Sequence, residues 1–271
     1  MKKYLALFLA LIMALTLVAC GAEKEPAADS QAPTDETGEE VVYAVEAGSA
    51  GEEVALENGW KVNSVESQAD ALMEVSAGTS SAAIIDSLMA AAMVGEGTSY
   101  PDLVITDQTL TEELYGVGCR KGSDLASFIN SVFGEAYADG SMLKIAETYG
   151  VQAALIAQEK SEFVASEADS DVAYIQGKGT LVIGITEFEP MDFQNADGEW
   201  IGFDADMCKL VAEKLGVEPE FIVIDWDSKN MELDSKNIDV VWNGMTLTDG
   251  VLEAMECSNA YCNNAQVVIT K

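Results

Sequence analysis

Short β-branched runs alternate with helical stretches from Val41 onward, and this alternation limits the fold more than any other feature of the sequence. In the stretch 203–216 the apolar residues recur with the period of a helix, and Gly216 can end that helix. A second long helix is expected over about 122–138, after the capping sequence Gly-Ser-Asp. Such alternation is typical of α/β proteins with largely parallel sheets. The expected strands are 41–46, 61–65, 81–86, 102–107, 115–120, 180–185, 220–224, 238–243 and 265–270.

The charge balance excludes several classes of function. The 271 residues include 47 acidic and 14 basic side chains, and the net charge of −33 argues against nucleic-acid partners because it repels phosphate backbones. The sequence contains no histidine, which excludes His-dependent triads, histidine bases and His-ligated metal sites. No two cysteines have Cys-x-x-Cys spacing. We therefore predict no metal, no cofactor and no catalytic residue.

The first twenty residues have the features of an export signal. Lys2 and Lys3 precede an apolar run over 4–18 that is too short for an ordinary transmembrane helix. The next four residues, Leu-Val-Ala-Cys, resemble a bacterial lipobox, which implies cleavage before Cys20 and a lipid on its sulfur. The alternative is an ordinary signal peptide with an incidental cysteine. Residues 21–40 have the composition of a solvated tether about 25 Å long, so we expect an extracytoplasmic protein anchored to the bacterial cell membrane by its lipid.

Four cysteines follow the lipobox, in a compartment where disulfides can form. They are Cys119, Cys208, Cys257 and Cys262. Because their surroundings are apolar, buried free thiols are the favoured interpretation. A disulfide between Cys257 and Cys262 stays open at this point.

Several motifs after residue 40 point to one family. In 180–271 they are LVIGITEFEPMDF, DGEWIGFDADMCKLVAEKLG, IDVVWNGMTLT and CSNAYCNNAQVVITK. In 41–150 they are VEAGSAGEE, SAAIIDSLMA and LYGVGCRKGSDLASFINSVFGEAYADGSMLKIAETYG. Together they resemble type 3 extracellular solute-binding proteins, the receptor components of polar amino-acid ABC importers. The resemblance implies a two-lobed periplasmic-binding-protein-like (type II) fold whose lobes close on a ligand about a hinge.

The two halves stand in reversed order relative to that family. The half that normally comes second is written first, and the chain ends at 266–271, which resembles the outgoing hinge strand. This order suggests a circular permutant in which 151–171 joins the usual termini. We expect the strand 266–271 to lie beside the crossover near 105–112, held by hydrogen bonds. The alternatives are a fragment of a tandem gene and a homodimer whose chains swap lobes.

The permuted order assigns residues to two lobes. The smaller lobe is expected to comprise 41–107. The larger lobe is expected to comprise 108–150 together with 172–271. In the family the ligand lies between the lobes, so the residues of interest lie at strand ends and helix starts that face each other.

The resemblance implies capture of a small-molecule ligand, an amino acid or another amine, for delivery to an ABC permease. A ligand sensor of the same fold and a degenerate copy without a ligand are the alternatives. The fold also hosts dehydratase and lytic transglycosylase chemistry, in which a carboxylate acts as acid or base. No nucleophile or carboxylate pair at defined spacing marks such an enzyme here, so binding is favoured over catalysis.

The smaller lobe is expected to supply one wall of the cleft. Ser49, Ala50 and Gly51 follow the first strand and begin a helix, where free backbone N–H groups favour an anion. The resemblance places the α-carboxylate of the ligand at this loop. Asp86 ends the third strand, and the resemblance assigns it to the α-ammonium of the ligand. A helix cap is the other interpretation of Asp86.

The larger lobe is expected to supply the opposite wall. The resemblance makes Phe188 and Trp226 aromatic walls around the ligand side chain, whereas core packing is the other interpretation of each. Asn243 and Gly244 belong to a turn whose backbone carbonyl accepts an ammonium proton in the family. Thr246 follows this turn and meets the carboxylate, unless it only caps a helix.

The resemblance fails where most members carry an arginine that clamps the α-carboxylate. Val251 stands at that position, and the single arginine, Arg120, matches a position outside the cleft. Either backbone N–H groups and Thr246 hold the carboxylate, helped by Lys229, or the ligand has no carboxylate, or binding has weakened. Glu187 adds acidic surroundings that favour an amine-bearing ligand, and an amino acid is preferred over other amines.

Overall fold

The computed structural model describes residue 33 and residues 40–271. Two β-sheets with helices packed against them, and a small third sheet of two strands, confirm the predicted mixed α/β class. The strands are β1 Val42–Glu46, β2 Lys61–Val65, β3 Ala82–Asp86, β4 Val104–Thr109, β5 Glu113–Cys119, β6 Thr180–Ile185, β7 Phe193–Gln194, β8 Trp200–Ile201, β9 Glu218–Val223, β10 Val240–Thr246, β11 Glu256–Cys257, β12 Cys262–Asn264 and β13 Gln266–Thr270. The helices are α1 Ala50–Glu57, α2 Gln68–Ala77, α3 Ser87–Met93, α4 Leu125–Asp139, α5 Ser141–Tyr149, α6 Asp171–Lys178, α7 Phe203–Leu215, α8 Lys229–Asp234 and α9 Asp249–Ala254, with a 3-10 turn at Trp226–Ser228.

The five-stranded sheet has the strand order β2-β1-β3-β13-β4. Strand β1 pairs parallel with β2 and β3, as expected when helices connect successive strands. Strand β13 pairs antiparallel with both β3 and β4. The carboxyl ends of β1 and β3 therefore meet at one edge of this sheet, which places Glu46 near Asp86.

The six-stranded sheet has the order β11-β5-β10-β6-β9, and β12 also pairs with β5. Strand β6 pairs parallel with β9 and β10, whereas β5 pairs antiparallel with β10, β11 and β12. The predicted largely parallel pairing thus holds for the strands joined by helices. It does not hold for β5 and β13, because each arrives directly from the other sheet without a helical crossover.

Each sheet contains a strand from the other half of the sequence. In the described residues the chain passes between the sheets at 110–112 and again at Ala265, and the two passages are hydrogen-bonded. The N–H of Leu110 donates to the carbonyl of Gln266 at 2.8 Å, and the N–H of Gln266 donates to Thr111 Oγ1 at 2.8 Å. The expectation that 266–271 lies beside the crossover is confirmed.

The position of β13 corrects one predicted boundary. The sequence placed 172–271 with the larger lobe, but residues 266–270 lie in the five-stranded sheet with β1 to β4. The physical reason is that β13 fills the gap between β3 and β4, whose backbone groups it satisfies on both sides. The last strand therefore belongs with the residues of the smaller sheet.

Helix α7 follows the predicted apolar period and buries two acids in the core. It runs over Phe203–Leu215 and ends at Gly216 in the left-handed region. Asp204 in its first turn and Asp192 before it are fully buried. Asp204 accepts from the N–H of Gly244 at 2.6 Å, whereas both carboxylate oxygens of Asp192 have no partner among the described residues. Burial raises the pKa of both carboxyls, and the neighbouring Asp204 raises that of Asp192 further.

The segment 151–170 packs along the larger sheet. The N–H of Ile156 donates to the carbonyl of Tyr261 at 2.8 Å. Asp124, predicted as part of the α4 cap, makes no side-chain cap; its carboxylate accepts from the N–H of Ser166 at 3.1 Å. Arg120 pairs with Asp171 at 2.9 Å. These contacts fix both ends of the join predicted between the family's usual termini.

Three other expectations concern termini and thiols. The four cysteines in the described residues are free, as favoured from their apolar surroundings, although Cys257 is only half-buried. Within residues 40–271, no helix is long and apolar enough to cross a membrane. The predicted signal peptide, Cys20 and nearly all of the tether lie outside the described residues.

Candidate functional site

A cavity lies between the two sheets, with walls from both. Its volume is about 50 Å³, which is room for a few water molecules. From the five-stranded side it is lined by Glu46, Gly48, Ser49, Ala50, Glu53, Gln68 and Asp86. From the six-stranded side it is lined by Trp226, Lys229, Asn243, Gly244, Met245, Thr246, Thr248 and Val251.

Most of the ligand residues predicted from the sequence meet at this cavity, although they come from opposite halves of the chain. Their convergence on one enclosed space is what a binding site between two lobes requires. The predicted residues that line it are Ser49, Ala50, Asp86, Trp226, Asn243, Gly244 and Thr246.

Asp86 lies at the base of the cavity and is 4% exposed. Its side chain does not cap α3, so the alternative interpretation as a helix cap is not supported. The carboxylate instead accepts hydrogen bonds from four side chains of both sheets. The donors are Tyr115 Oη at 2.7 Å, Gln266 Nε2 at 3.0 Å, Gln68 Nε2 and Asn264 Nδ2.

A second carboxylate stands beside Asp86. Glu113 accepts from Thr246 Oγ1 at 2.9 Å, and Asn264 and Gln266 donate to both acids. Burial, followed by the charge of Glu113, raises the pKa of Asp86 to about 7 in spite of its hydrogen bonds. Asp86 and Glu113 are therefore adjacent acids whose described hydrogen-bond partners are all uncharged.

Acidic side chains of α1 lie beside the loop between β1 and α1 and bond to its backbone. Ser49 caps α1 by accepting from the N–H of Glu52 at 3.2 Å. The carboxylate of Glu52 accepts in turn from the N–H of Gly48 at 2.8 Å, and Glu53 lines the cavity. This loop offers helix-start N–H groups at Ala50, but carboxylates beside them oppose the binding of an anion.

Lys229 spans the cavity from the six-stranded side. Its Nζ donates to the carbonyl of Gly48 at 2.9 Å and to that of Trp226 at 3.1 Å. The ammonium also lies 4.9 Å from the centre of the Trp226 ring, within the range of a cation–π contact. Burial lowers the pKa of Lys229, against the opposing effect of nearby acids led by Glu46. Trp226 thus faces the cavity, but its ring is engaged by a lysine of this chain.

Asn243 and Gly244, predicted as part of a turn, lie within β10 where its pairing with β5 is irregular, and the core fixes the backbone at this point. Gly244 has a φ of +57°, and a Cβ there would lie 2.7 Å from Phe188 Cε1. Its N–H donates to Asp204 at 2.6 Å and is not free for a ligand. Asn243 Nδ2 donates to Thr186 Oγ1 at 2.7 Å, which leaves Asn243 Oδ1 at the cavity without a partner in the described chain.

Val251 lines the cavity from the first turn of α9 and is 8% exposed. The position at which the resemblance expects a carboxylate-clamping arginine therefore does face the site. An apolar side chain stands there instead. Arg120 is held by Asp171 and Asp239 on the larger sheet, outside the residues that line the cavity.

Three predicted ligand residues are not brought to the cavity. Phe188 is 1% exposed and packs edge-on against Tyr115, so the core interpretation applies to it. Gly51 is buried where α1 meets β3, and a Cβ there would lie 3.0 Å from the carbonyl of Ile84. Glu187 is exposed and lines a separate open groove.

Sequence reasoning also missed residues of the site. Glu46 and Gln68 line the cavity, and Asn264 and Gln266 hold its acids. A polar residue closing the apolar strand VYAVE was the available signal for Glu46. The two amides in CNNAQ, next to the predicted hinge strand, were the signal for the others. No group of three or more acids or cysteines suited to a metal ion occurs among the described residues.

Comparison with known proteins identifies one family in the last third of the chain. Residues 181–271 match the family described as bacterial extracellular solute-binding proteins, family 3. The resemblance to type 3 solute-binding proteins is therefore confirmed over these residues.

Individual relatives match over similar lengths. The L-cystine-binding protein TcyJ of Escherichia coli (strain K12) is 35% identical over 88 residues, which are 32% of this chain and 33% of that protein. The L-cystine-binding protein TcyA of Bacillus subtilis (strain 168) is 36% identical over 107 residues, 38% of this chain and 39% of that one. This chain thus spans about a third of the length of these curated relatives.

One solved structure shows a match of the same extent. It is that of an ABC uptake transporter substrate binding protein from Streptococcus pneumoniae with bound histidine. The identity is 37% and the TM-score is 0.32, with 35% of this chain and 38% of that chain covered.

Proposed function

We propose, from the family match of the last third of the chain, that this protein is an extracytoplasmic solute-binding protein. It captures a small amine-bearing ligand, most simply an amino acid, between its two sheets and delivers it to an ABC permease. The observation that carries the proposal is the cavity at which Asp86 and Thr246, from opposite halves of the sequence, face each other.

Asp86 and the last residues of β10 are the proposed contacts with the ligand's ammonium and polar groups. The carboxylate of Asp86 is held in place by donors from both sheets, so its geometry is set before the ligand arrives. An ammonium adds the positive charge that Asp86 and Glu113 lack. The hydroxyl of Thr246 donates to Glu113 and can accept a hydrogen bond from the ligand at the other wall.

The ligand acts by shifting a population between open and closed sheets. The cavity holds only a few waters as it stands, so the sheets must separate to admit an amino acid. The passages at 110–112 and Ala265 are the natural hinge, because no other described segment joins the two sheets. A ligand that contacts both walls favours the closed state.

The halves form both sheets within one chain as a circular permutant, rather than between two chains. Tyr43 of β1 pairs with Ala82 of β3, and Ile269 of β13 pairs with the next residue, Ala83. The end of β13 therefore lies at the same edge of the sheet as the start of β1, two strand spacings or about 10 Å away. A short connection there restores the family's usual order.

The permuted arrangement has a direct test. A chain that runs from residue 168 to 271, through a short Gly/Ser linker, into 41–167 keeps the contacts of the segment 151–170 and should fold and bind as the original does. Light scattering should give a monomer for both. Dimers in the original and monomers in the reordered chain would instead support lobe swapping.

The lipid on Cys20 and the tether 21–40 complete the proposal for the location. They keep the binding domain close to the permease outside the cytoplasmic membrane. Metabolic labelling with a fatty-acid analogue should mark the chain and not a Cys20→Ser variant.

Binding and not turnover is the proposed activity. Calorimetry with the protein from residue 21 against amino acids and amines should show a ligand that also raises the melting temperature by mass action. The Thr246→Val variant should lose affinity, and the exposed Thr148→Val should serve as its matched control. A panel without any stabilising ligand, or chemical conversion of the ligand followed by NMR, would contradict the proposal.

A further inference from the structure

Two hydrogen-bond acceptors from opposite walls are left open at the cavity. Oε1 of Glu46, at the end of β1, is buried and has no hydrogen-bond partner in the described residues. The same is true of Oδ1 of Asn243 on β10. Glu46 is 2% and Asn243 3% exposed, and both residues line the cavity. Buried acceptors of this kind ordinarily have a partner, so each of these two atoms lacks a donor.

The amide of Asn243 has one of its two ends engaged. Asn243 Nδ2 donates to Thr186 Oγ1 at 2.7 Å. Thr186 also lies close enough to Glu46 to lower the pKa of that carboxyl. The amide oxygen of Asn243 is the end that is left without a partner in the described residues.

Glu46 differs from Asp86 in the number of hydrogen-bond donors that its carboxyl group meets. Asp86 accepts from four side chains, whereas the Oε1 atom of Glu46 meets no donor. Burial, followed by the charge of Asp86, raises the pKa of Glu46 to about 8, in spite of opposing effects from Thr186, Lys229 and Gln68. Near neutral pH the carboxyl of Glu46 is therefore largely protonated, and a further cation beside it would favour its ionised form.

Lys229 is the only cation among the described residues that line the cavity, and it donates to the carbonyls of Gly48 and Trp226. The other titratable residues in the wall are the acids Glu46, Glu53 and Asp86. A cationic group of a ligand would stabilise the ionised forms of Glu46 and Asp86, whereas an uncharged group would not.

We propose that Glu46 and Asn243 together bind a second cationic group of the ligand, so that the site selects compounds with two amino groups over those with one. This inference rests on the proposed function and names its ligand class, a diamino acid or a diamine. The first ammonium is held at Asp86. The second donates to Glu46 Oε1 on one wall and to Asn243 Oδ1 on the other, and this bridging contact favours closure.

L-ornithine and L-norvaline form a matched pair for the test, because they share a carbon skeleton and differ by the terminal amino group. Calorimetry on the wild-type protein should give roughly 10- to 100-fold tighter binding of ornithine, the range expected for hydrogen bonds to a charged group. Putrescine and 1-butylamine form a second pair with the same expected order. In Glu46→Gln the preference for ornithine over norvaline should disappear.

Controls separate a loss of recognition from a loss of structure. Glu220→Gln changes an exposed acid on β9 and should keep the wild-type preference. Glu46→Met repeats the charge removal with an apolar side chain, and circular dichroism and melting should show both Glu46 variants folded. Ornithine bound as tightly by the Glu46 variants as by the wild type would overturn the inference.

The outcomes for the wild-type protein distinguish this inference from the proposed function. Equal affinity for ornithine and norvaline would overturn the selection by Glu46 and leave amino-acid binding intact. Failure to bind any of the four compounds, or any other amino acid, would contradict the proposed function and this inference with it.

Discussion

Asp86 shows how burial changes the meaning of a single side chain. The sequence presents it as a strand-ending acid that contacts a ligand or caps a helix, and either role predicts a mild effect on folding when it is removed. The structure shows a carboxylate that accepts from Gln68, Tyr115, Asn264 and Gln266. Its removal leaves several buried donors without an acceptor, which is costly in a dry site.

Two substitutions at Asp86 are therefore expected to differ. Asp86→Ala should lose amine binding and also destabilise the free protein by about 1–3 kcal/mol, because the donors lose their acceptor. Asp86→Asn keeps one acceptor oxygen and removes repulsion with Glu113, so it should lose binding with a smaller change in stability. Calorimetry and urea unfolding measure the two effects. Retained affinity in Asp86→Asn would show that the ammonium binds elsewhere.

Residue roles were predictable where they depend on local sequence. Trp226 and Thr246 follow strands, and both line the cavity as expected. Phe188 follows a strand in the same way, yet it is buried because Tyr115 and the Cβ-free Gly244 leave room for its ring. Those neighbours are distant in sequence, so no local pattern could separate a core aromatic from a ligand-facing one.

At the scale of elements, α9 contributes an apolar residue to the wall of the cavity. Thr248 caps it by accepting from the N–H of Val251 at 3.3 Å, and this first turn presents Val251 to the cavity. Val251 can contact a ligand only through van der Waals packing. A carboxylate on the ligand finds no guanidinium here.

Restoring a cation at this helix should change the ligand preference. Val251→Arg places a guanidinium at the cavity and should strengthen the binding of zwitterionic amino acids by roughly tenfold or more. Val251→Met fills similar space without charge and should not. Competition between L-norvaline and 1-butylamine, followed by calorimetry, measures the change. Equal gains in both variants would indicate that packing and not charge limits the affinity.

The elements themselves were largely predictable, since α7 follows its helical period and β6 is a continuous apolar run that is buried in the structure. The pairing of the strands was less predictable than the elements. The antiparallel placement of β5 and β13 depends on where the chain passes between sheets, a long-range property that periodicity does not carry. The position of 266–271 beside the crossover could be predicted only from the order of the motifs relative to a known family.

The molecule as a whole combines a large negative charge with several buried carboxyls. Burial raises the pKa of Glu46, Asp86, Asp192 and Asp204. In an unfolded chain these groups titrate near pH 4. Between about pH 4 and 8 the folded state therefore binds more protons than the unfolded state.

This difference sets the sign of the pH dependence. The free energy of unfolding should fall as the pH rises through that window, because deprotonation is easier in the unfolded chain. Urea unfolding at pH 5 and pH 8, at fixed ionic strength, should show the greater stability at pH 5. Asp192→Asn should reduce the difference, whereas the exposed Asp102→Asn should not. Greater stability at pH 8 would show that these carboxyls are ionised in the fold without penalty.

The bond from Lys229 to the carbonyl of Gly48 joins one wall of the cavity to the other. Under the proposed function, binding is a two-step process in which the breaking of this bond, a unimolecular isomerisation, precedes or follows collision with the solute. In stopped-flow experiments the observed rate constant should level off at high solute concentration. The plateau then gives the rate at which the hydrogen bond between Lys229 and Gly48 breaks.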